Sequence, residues 1–518
     1  MARNGYATVW RWHFYAGLFT APFLLILAIT GALYLFNDEL NDLIYPQLRF
    51  APSGDAVLPA GDLVAAVREA YPRGTVTRID MPVSPGRTAM AFVTPEQGEP
   101  LRVFVDPGDG TILGDVIYAR TLVGFADVMH GSLLLGRGGD ALVELAASWA
   151  LVLVITGLYL WWPRGRRSRA FRFDRRSRGR KRWREIHRLV GVYTAVMIVF
   201  LIITGLPWAS FWGDRVLSPV SNALGLGYPP QLRHHGGGEV PAETTLSDTN
   251  LSKTMLETLG DAPWALQQAP LPDGRRRTTV ASQPTDARHA GMPTRPPAAE
   301  AASHSGCVVF SVGSWPGGAP LAGEYGVNSC PQHQQTDHRH SHEGLDTSTA
   351  AINRVHALLA AQRLPYGYRL SIPADAGDPY SAYTYPDRPQ GQRTLHLDSG
   401  GHRLLVNVGF DDYGAIAKAV ELGVALHMGN YFGRANQIVM LLTCVAIVAL
   451  VITGTVMWWR RRPAGGLGAP DSPPIRKRYW LAVTLTLLAL LPLAGLSLLL
   501  VLALEKGRAL ARRRSVAG

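Results

Sequence analysis

The chain has 518 residues, a formal net charge of +12 and 47% hydrophobic residues. That apolar fraction is ordinary for a soluble protein on average, so class has to be read from how the residues are distributed. The basic surplus does not mark a nucleic-acid protein, because it is concentrated: twelve Lys and Arg lie between Arg164 and Arg184, with Asp174 as the only acid, the pattern of a loop kept in the cytoplasm beside membrane helices.

Taken in chain order, five stretches approach the roughly 20 apolar residues that cross a bilayer: Leu18–Phe36, Ala141–Trp162, Leu189–Trp212, Ile438–Trp459 and Trp480–Leu504. With their flanks they predict spans over 8–36, 141–162, 187–212, 435–459 and 478–504. The first is too long for a signal-peptide core, and no small-residue cleavage site follows it. The basic loop, 163–184, places the N-terminus in the cytoplasm and the segments 37–139 and 213–434 outside. The fifth stretch conflicts with this rule: its basic tail (Arg508, Arg512, Arg513, Arg514) would end outside, and Pro492 in its middle leaves a kinked or re-entrant segment open.

The outer segments read as α+β. In 37–139, a helical pattern at Gly61–Ala70 precedes alternating runs at Thr88–Val93 and Arg102–Val105 and a turn at Asp106-Pro107-Gly108-Asp109-Gly110. The second segment repeats this over 347–425: a helix at Ser348–Ala361, strands near Tyr368–Ile372 and Gln392–His396, and a turn at Asp398-Ser399-Gly400-Gly401. Residues 213–346 read as an insertion rich in Gly, Pro and polar residues. Cys444 reads as inert packing within a span. Cys307 and Cys330 fall where oxidation is permitted, with pairing left open.

The spans repeat. His13-x3-Gly17 is followed 17 residues on by Thr30-Gly31, and His187-x3-Gly191 by Thr204-Gly205 at the same spacing. His130, Gly136-Arg137, Thr156-Gly157 and Trp161-Trp162 match His427, Gly433-Arg434, Thr453-Gly454 and Trp458-Trp459, with 6 residues from His to Gly-Arg and 26 from His to Thr in both. The fold class is therefore an α-helical membrane protein of two tandem helix–domain–helix units, a four-helix core with a fifth C-terminal span and α+β extracytoplasmic domains. The Thr-Gly steps read as close helix packing and the paired tryptophans as interfacial belts.

Arg102-Val103-Phe104-Val105-Asp106 and Arg393-Thr394-Leu395-His396-Leu397-Asp398 resemble the end of a PepSY module. Leu426-His427-Met428-Gly429-Asn430-Tyr431-Phe432-Gly433 resembles the PepSY-associated transmembrane family. The resemblance runs over roughly residues 8 to 462; the fifth span and a His-rich insertion depart from it. The family includes inner-membrane, haem-containing ferric-siderophore reductases, so the resemblance implies a bacterial inner-membrane oxidoreductase with periplasmic domains, a ferric-siderophore substrate, and quinol or a cytoplasmic flavoprotein as electron donor.

The four matched histidines fit that expectation. At 1.5 Å rise per residue, the 17 residues from His13 to Thr30 cover about 25 Å, so His13 shares a level with His187 and His130 with His427. Two neutral imidazoles can hold one haem iron, so the repeat predicts two bis-histidine haems, of b type because no Cys-x-x-Cys-His exists. Arg137 and Arg434 on the outer side, and Arg11 and Arg184 on the inner, are candidates either for propionate contacts or for lipid headgroups. His333, His338, His340 and His342 form a loose cluster suited at most to weak metal binding. The sequence lacks a Gly-x-Gly-x-x-Gly opening a helix, a Gly-Lys-Ser/Thr step and a His-Glu-x-x-His motif. Two further readings are a non-redox sensory or binding protein and a transporter with its site between the repeats; the near absence of intramembrane charge weighs against the last.

Overall fold

The structure, a computed structural model, describes residues 2–162, 171, 173–174, 176–229, 232, 263–274, 345–364, 367–375, 377–463, 468 and 477–517. Four of its helices are long and apolar enough to cross a membrane: Gly5–Tyr34, Gly136–Trp161, Gly179–Trp208 and Arg434–Trp459, here spans 1 to 4. Each packs against two others, 1 on 2 and 4, 3 on 2 and 4, closing a ring. Large apolar side chains such as Leu18, Ile155, Val196 and Leu442 lie on the outside of the bundle, as lipid requires. Small or hydroxylated residues, Ala28, Ala146, Ser148, Ala150, Thr156 and Thr453, are buried between the helices and let them approach closely.

The fifth stretch is a correction to the expected single span. It forms two helices, Lys477–Leu490 and Pro492–Ala517. Proline has no N–H to continue a helix and suits the first position of a new one. The chain folds back there: a Cβ on Gly495 would lie 2.5 Å from the Leu488 backbone nitrogen, a contact that residues seven apart in one straight helix do not make. The Trp480 ring lies 5.3 Å from that of Trp12, tilted by 45°, Trp212 Nε1 donates to the Leu490 carbonyl at 3.0 Å, and Trp149 Nε1 donates to Ser497 at 3.0 Å.

The strands of the two outer segments form one eight-stranded antiparallel sheet rather than two separate modules. They are β1 (Gly74–Asp80), β2 (Ala89–Pro95), β3 (Leu101–Val105), β4 (Ile112–Val116), β5 (Arg369–Ser371), β6 (Tyr380–Tyr383), β7 (Arg393–Leu397) and β8 (Leu404–Gly409), in the order β4-β3-β2-β1-β5-β6-β7-β8. The two segments join through β1 and β5, where Arg78, Ile79 and Asp80 face Ser371, Leu370 and Arg369. One face of the sheet is covered by the helices Ala60–Ala70 and Thr349–Ala361, whose Leu63, Val64, Val67, Ile352, Val355 and Leu359 are fully buried against Ile79, Val103, Leu370 and Leu395. Each such side chain contributes about 1.5–3 kcal/mol. Both expected turns exist, each tied by its leading aspartate: Asp106 accepts from the Gly108 nitrogen at 2.9 Å and Asp398 from that of His402 at 2.6 Å.

The opposite face looks toward the bundle. Tyr383 and Val408 pack there with Trp208, at the end of span 3, and with Trp264, Phe410 and Tyr413. Trp264 falls within what the sequence marks as an insertion, yet its short helix Trp264–Gln267 is wholly buried, with Trp264 Nε1 donating to the Pro207 carbonyl at 2.8 Å.

Two histidine pairs as a candidate cofactor site

Each histidine is placed by the end of an apolar helix. His13 and His187 sit in the third turns of spans 1 and 3. His130 ends a short helix, Leu122–Ser132, and His427 ends another, Ala415–His427. Each short helix is cut from the span that follows by left-handed backbone: Leu133, Leu134 and Gly136 in the first half, Gly429 and Gly433 in the second. Leucine adopts this conformation at a cost that glycine avoids. The turn swings each imidazole into the bundle before the span begins.

The rings meet in two pairs. His13 and His187 have ring centroids 6.4 Å apart and planes at 85°. His130 and His427 have centroids 6.5 Å apart and planes at 86°. Two nitrogen–metal bonds of about 2 Å, plus about 1.1 Å from each nitrogen to its ring centre, give roughly 6.3 Å for two imidazoles sharing one ion. His13 and His130 are not brought together.

Each Nδ1 meets the threonine of a Thr-Gly step on the neighbouring span of its own half. The distances are 3.1 Å for His13–Thr156, 3.1 Å for His130–Thr30, 2.9 Å for His187–Thr453 and 2.9 Å for His427–Thr204. Every one of these hydroxyls donates its proton to its own helix, at 2.7–2.8 Å: Thr30 to Ile26, Thr156 to Val152, Thr204 to Phe200 and Thr453 to Ala449. The threonine oxygen therefore accepts, and Nδ1 donates. For His13 the Leu153 carbonyl, also at 3.1 Å, requires the same tautomer. With the proton assigned to Nδ1, each Nε2 carries a lone pair available to a metal.

These threonines were read from the sequence as helix packing. Their role was nonetheless signalled, because in an antiparallel pair of spans each His lies level with its neighbour's Thr. The glycines that follow make room for the rings. A Cβ on Gly31 would stand 3.0 Å from His130 Cε1, and one on Gly157 3.1 Å from His13 Cε1.

A cavity takes in His130 and His427. Its floor is apolar, with Leu24, Ala28, Cys444 and Ile447; its upper wall holds Tyr34 and Asp127. Burial raises the Asp127 carboxyl to about 7 against the hydrogen bond it accepts from Tyr118 at 2.9 Å. Asp140 and Glu144, which also line the cavity, accept from the backbone at the end of span 3: Asp140 from Ser210, Glu144 from Phe211 and Trp212.

The arginines offered for propionates or for lipid headgroups do not line this cavity. Arg434 is exposed and paired with Glu39. Arg137 is exposed and outside the cavity lining. Both follow a left-handed glycine at a span's start, so the Gly-Arg step serves the turn and leaves its arginine on the surface. Near the other pair, Arg184 is exposed and Arg11 lies over the Tyr15 ring at 5.6 Å. His333, His338, His340, His342, Cys307 and Cys330 lie outside the described residues.

The donor set fits a macrocycle better than a bare ion. Among the described residues no group of three or more His, Cys, Asp or Glu side chains is placed to hold a metal, whereas two facing imidazoles are the axial set of a haem whose ring supplies the other ligands. Compared with known families, residues 10–461 match the one described as PepSY-associated TM region. A comparison with curated proteins finds no match.

Proposed function

Because the chain belongs to the PepSY-associated transmembrane family, we propose that it is a di-haem b electron-transfer protein of the bacterial inner membrane, built from two tandem units, that reduces a periplasmic ferric siderophore and so releases iron. The observation that carries this reading is the equality of the two histidine pairs: the same separation, the same perpendicular planes and the same threonine at every Nδ1. Structural histidines have no need of that fourfold constraint, while metal ligation requires it, because a fixed tautomer and ring orientation are what an outer partner gives a ligand.

A haem bound at each pair would carry one electron at a time between oxidation states of its iron. The protein's own part is to hold and insulate. His13 with His187, and His130 with His427, supply the axial nitrogens. Thr156, Thr453, Thr30 and Thr204 keep the protons on Nδ1. The apolar floor of the cavity excludes water from the second pair. The pairs stand about 25 Å apart along span 1, which covers most of a bilayer's apolar core. The basic loop over 164–184 supports a cytoplasmic location for the His13–His187 end. The sheet would then lie outside with the substrate, and quinol or a flavoprotein would donate from within.

The test is the visible spectrum and pyridine haemochrome of the purified protein, followed by reduction of an external ferric hydroxamate in vesicles of known orientation. Two b-type haems per chain and a reduction rate abolished in His427→Ala are expected. A folded, colourless protein would overturn the reading.

A further inference from the structure

A second recess lies between spans 3 and 4, toward their ends nearest the sheet. Met197 and Phe200 of span 3 and Val439 and Met440 of span 4 form its walls, with Phe432 at its rim. Phe432 and Val439 are exposed, as are the neighbouring Val196 and Leu442, so the recess opens toward lipid. Along span 3 it reaches Met197, 7 residues below the Thr204 that meets His427, a descent of about 10 Å. It also touches the candidate cofactor site. Met440 lines both this recess and the cavity of His130 and His427, and Leu426 in its wall precedes His427 in the chain.

Asn436 is the one lining residue with an amide, acid or hydroxyl side chain, and it is only 6% exposed. Its Nδ2 donates to the Leu426 carbonyl at 2.8 Å. A carbonyl can only accept, so this bond fixes which arm of the amide is which. The bond also closes the end of the helix Ala415–His427, which accounts for the Nδ2 arm alone. Oδ1 is buried and meets no donor among the described residues. Such an acceptor forfeits the hydrogen bonds that water would give it, and lipid tails offer none. The repeat does not demand it. Asn436 stands nine residues after His427, and nine after His130 stands Gly139, where a Cβ would lie 1.7 Å from the Ser132 carbonyl oxygen.

We infer that this recess binds the reduced head of a membrane hydroquinone, with one ring hydroxyl donating to Asn436 Oδ1 and the ring against Phe200, Phe432 and the two methionines. The inference rests on the haem reading above and names its donor. Three features select this class. An occupant must arrive through lipid, so it carries an apolar tail. It must bring a hydrogen-bond donor to Oδ1. Aromatic and thioether walls favour a flat aromatic ring. The oxidised quinone presents only carbonyl acceptors to Oδ1, so the product is held less tightly than the substrate. Oxidation of one hydroquinone breaks two O–H bonds, converts two C–O bonds to C=O, and releases two protons to the outer water and two electrons. The electrons leave singly toward the His130–His427 pair and reduce two ferric ions outside.

The test uses the full-length protein in phosphatidylcholine nanodiscs with decylbenzoquinol and a photoreactive azido derivative of it. The label is expected on Met197, Phe200, Phe432 or Val439. Decylbenzoquinol should displace it, and its dimethyl ether, which has no O–H, should do so about tenfold less well, the size of one hydrogen bond. Asn436→Leu should erase that difference. Val439→Trp, which fills the recess and leaves the Asn436–Leu426 bond in place, should abolish labelling with haem content unchanged. Reduction by decylbenzoquinol of the haem at His130 and His427 should slow about tenfold in both variants, while dithionite still reduces it fully. Labelling that the dimethyl ether displaces equally well, or that Val439→Trp leaves unchanged, would overturn the inference, mark the recess as one filled by lipid chains and leave the haem reading standing. A colourless protein still labelled with the tenfold preference would keep the binding site and overturn the haem reading instead.

Discussion

The two histidine pairs are nearly superimposable as ligand sets yet stand in different surroundings. The pair beside the sheet opens on a cavity whose wall also holds Tyr34, Asp127, Asp140 and Glu144. The far pair is bordered by an aromatic and basic rim: Trp12 against Trp480, Arg461 over the Trp10 ring at 4.1 Å, and Glu185 paired with Arg188 at 2.6 Å. The difference teaches that ligation is set by what the two halves share, His and Thr-Gly, while the environment of each pair is set by residues that do not repeat. Ligand changes should therefore act alike at both ends, and changes around the ligands should act at one.

The largest effect should come from the ligands. His427→Ala and His130→Ala should each remove the same haem, and His13→Ala and His187→Ala the other, leaving about half the pyridine haemochrome signal in every case. Losses that paired His13 with His130 would break the comparison at its root.

Acid should separate the two ends. Burial lowers the His396 pKa to about 4, from 6.5; its ring is fully enclosed and bonded through Nδ1 to Ser381 at 2.8 Å. The folded sheet thus binds fewer protons than the unfolded chain between those values. Its contribution is intact above pH 6.5 and is lost as pH falls toward 4, by about 3 kcal/mol in total. Thermal unfolding against pH should show this slope, and His396→Gln should flatten it. The haem signal beside the sheet should fade before the far one.

Removing a hydroxyl should cost less. Thr204→Val and Thr453→Val each leave an imidazole N–H with a weaker partner, and roughly 10- to 100-fold lower cofactor affinity is expected at the served pair alone. Haem transfer to an external acceptor measures it. The smallest effect is steric. Gly31→Ala brings a methyl to 3.0 Å from His130, so ferric low-spin EPR should report a turned ring, while Gly454→Ala, at 3.6 Å from His187, should be silent.

Much of the bundle could be read from the chain. The apolar stretches located four helices, and the repeated spacings grouped the histidines as the structure places them. Features that depend on distant pairing could not be read. Arg78, Arg102 and Arg369 become neighbours only through the registers of β1 with β3 by way of β2 and of β1 with β5, and nothing local marks them as a set. β1, β4, β6 and β8 are absent from the sequence reading, and the merging of two modules into one sheet rests on three residue pairs. Pro492 signalled the break in the last stretch, but the fold-back depends on Gly495 lying against Leu488.

The joint between β1 and β5 also bears on biosynthesis. β5 emerges about 290 residues after β1, so at 5–20 residues per second the first half-sheet waits roughly 15 to 60 s with β1 as an open edge. An open edge invites pairing with the wrong chain. β1 carries its own protection: a register shift between Val76 and Arg78 that interrupts the ladder, and the charges of Arg78 and Asp80 on the waiting strand. The residues that join the two halves of the sheet in the finished protein, Arg78 and Asp80, are thus the same ones that put charge on its edge until the second half arrives.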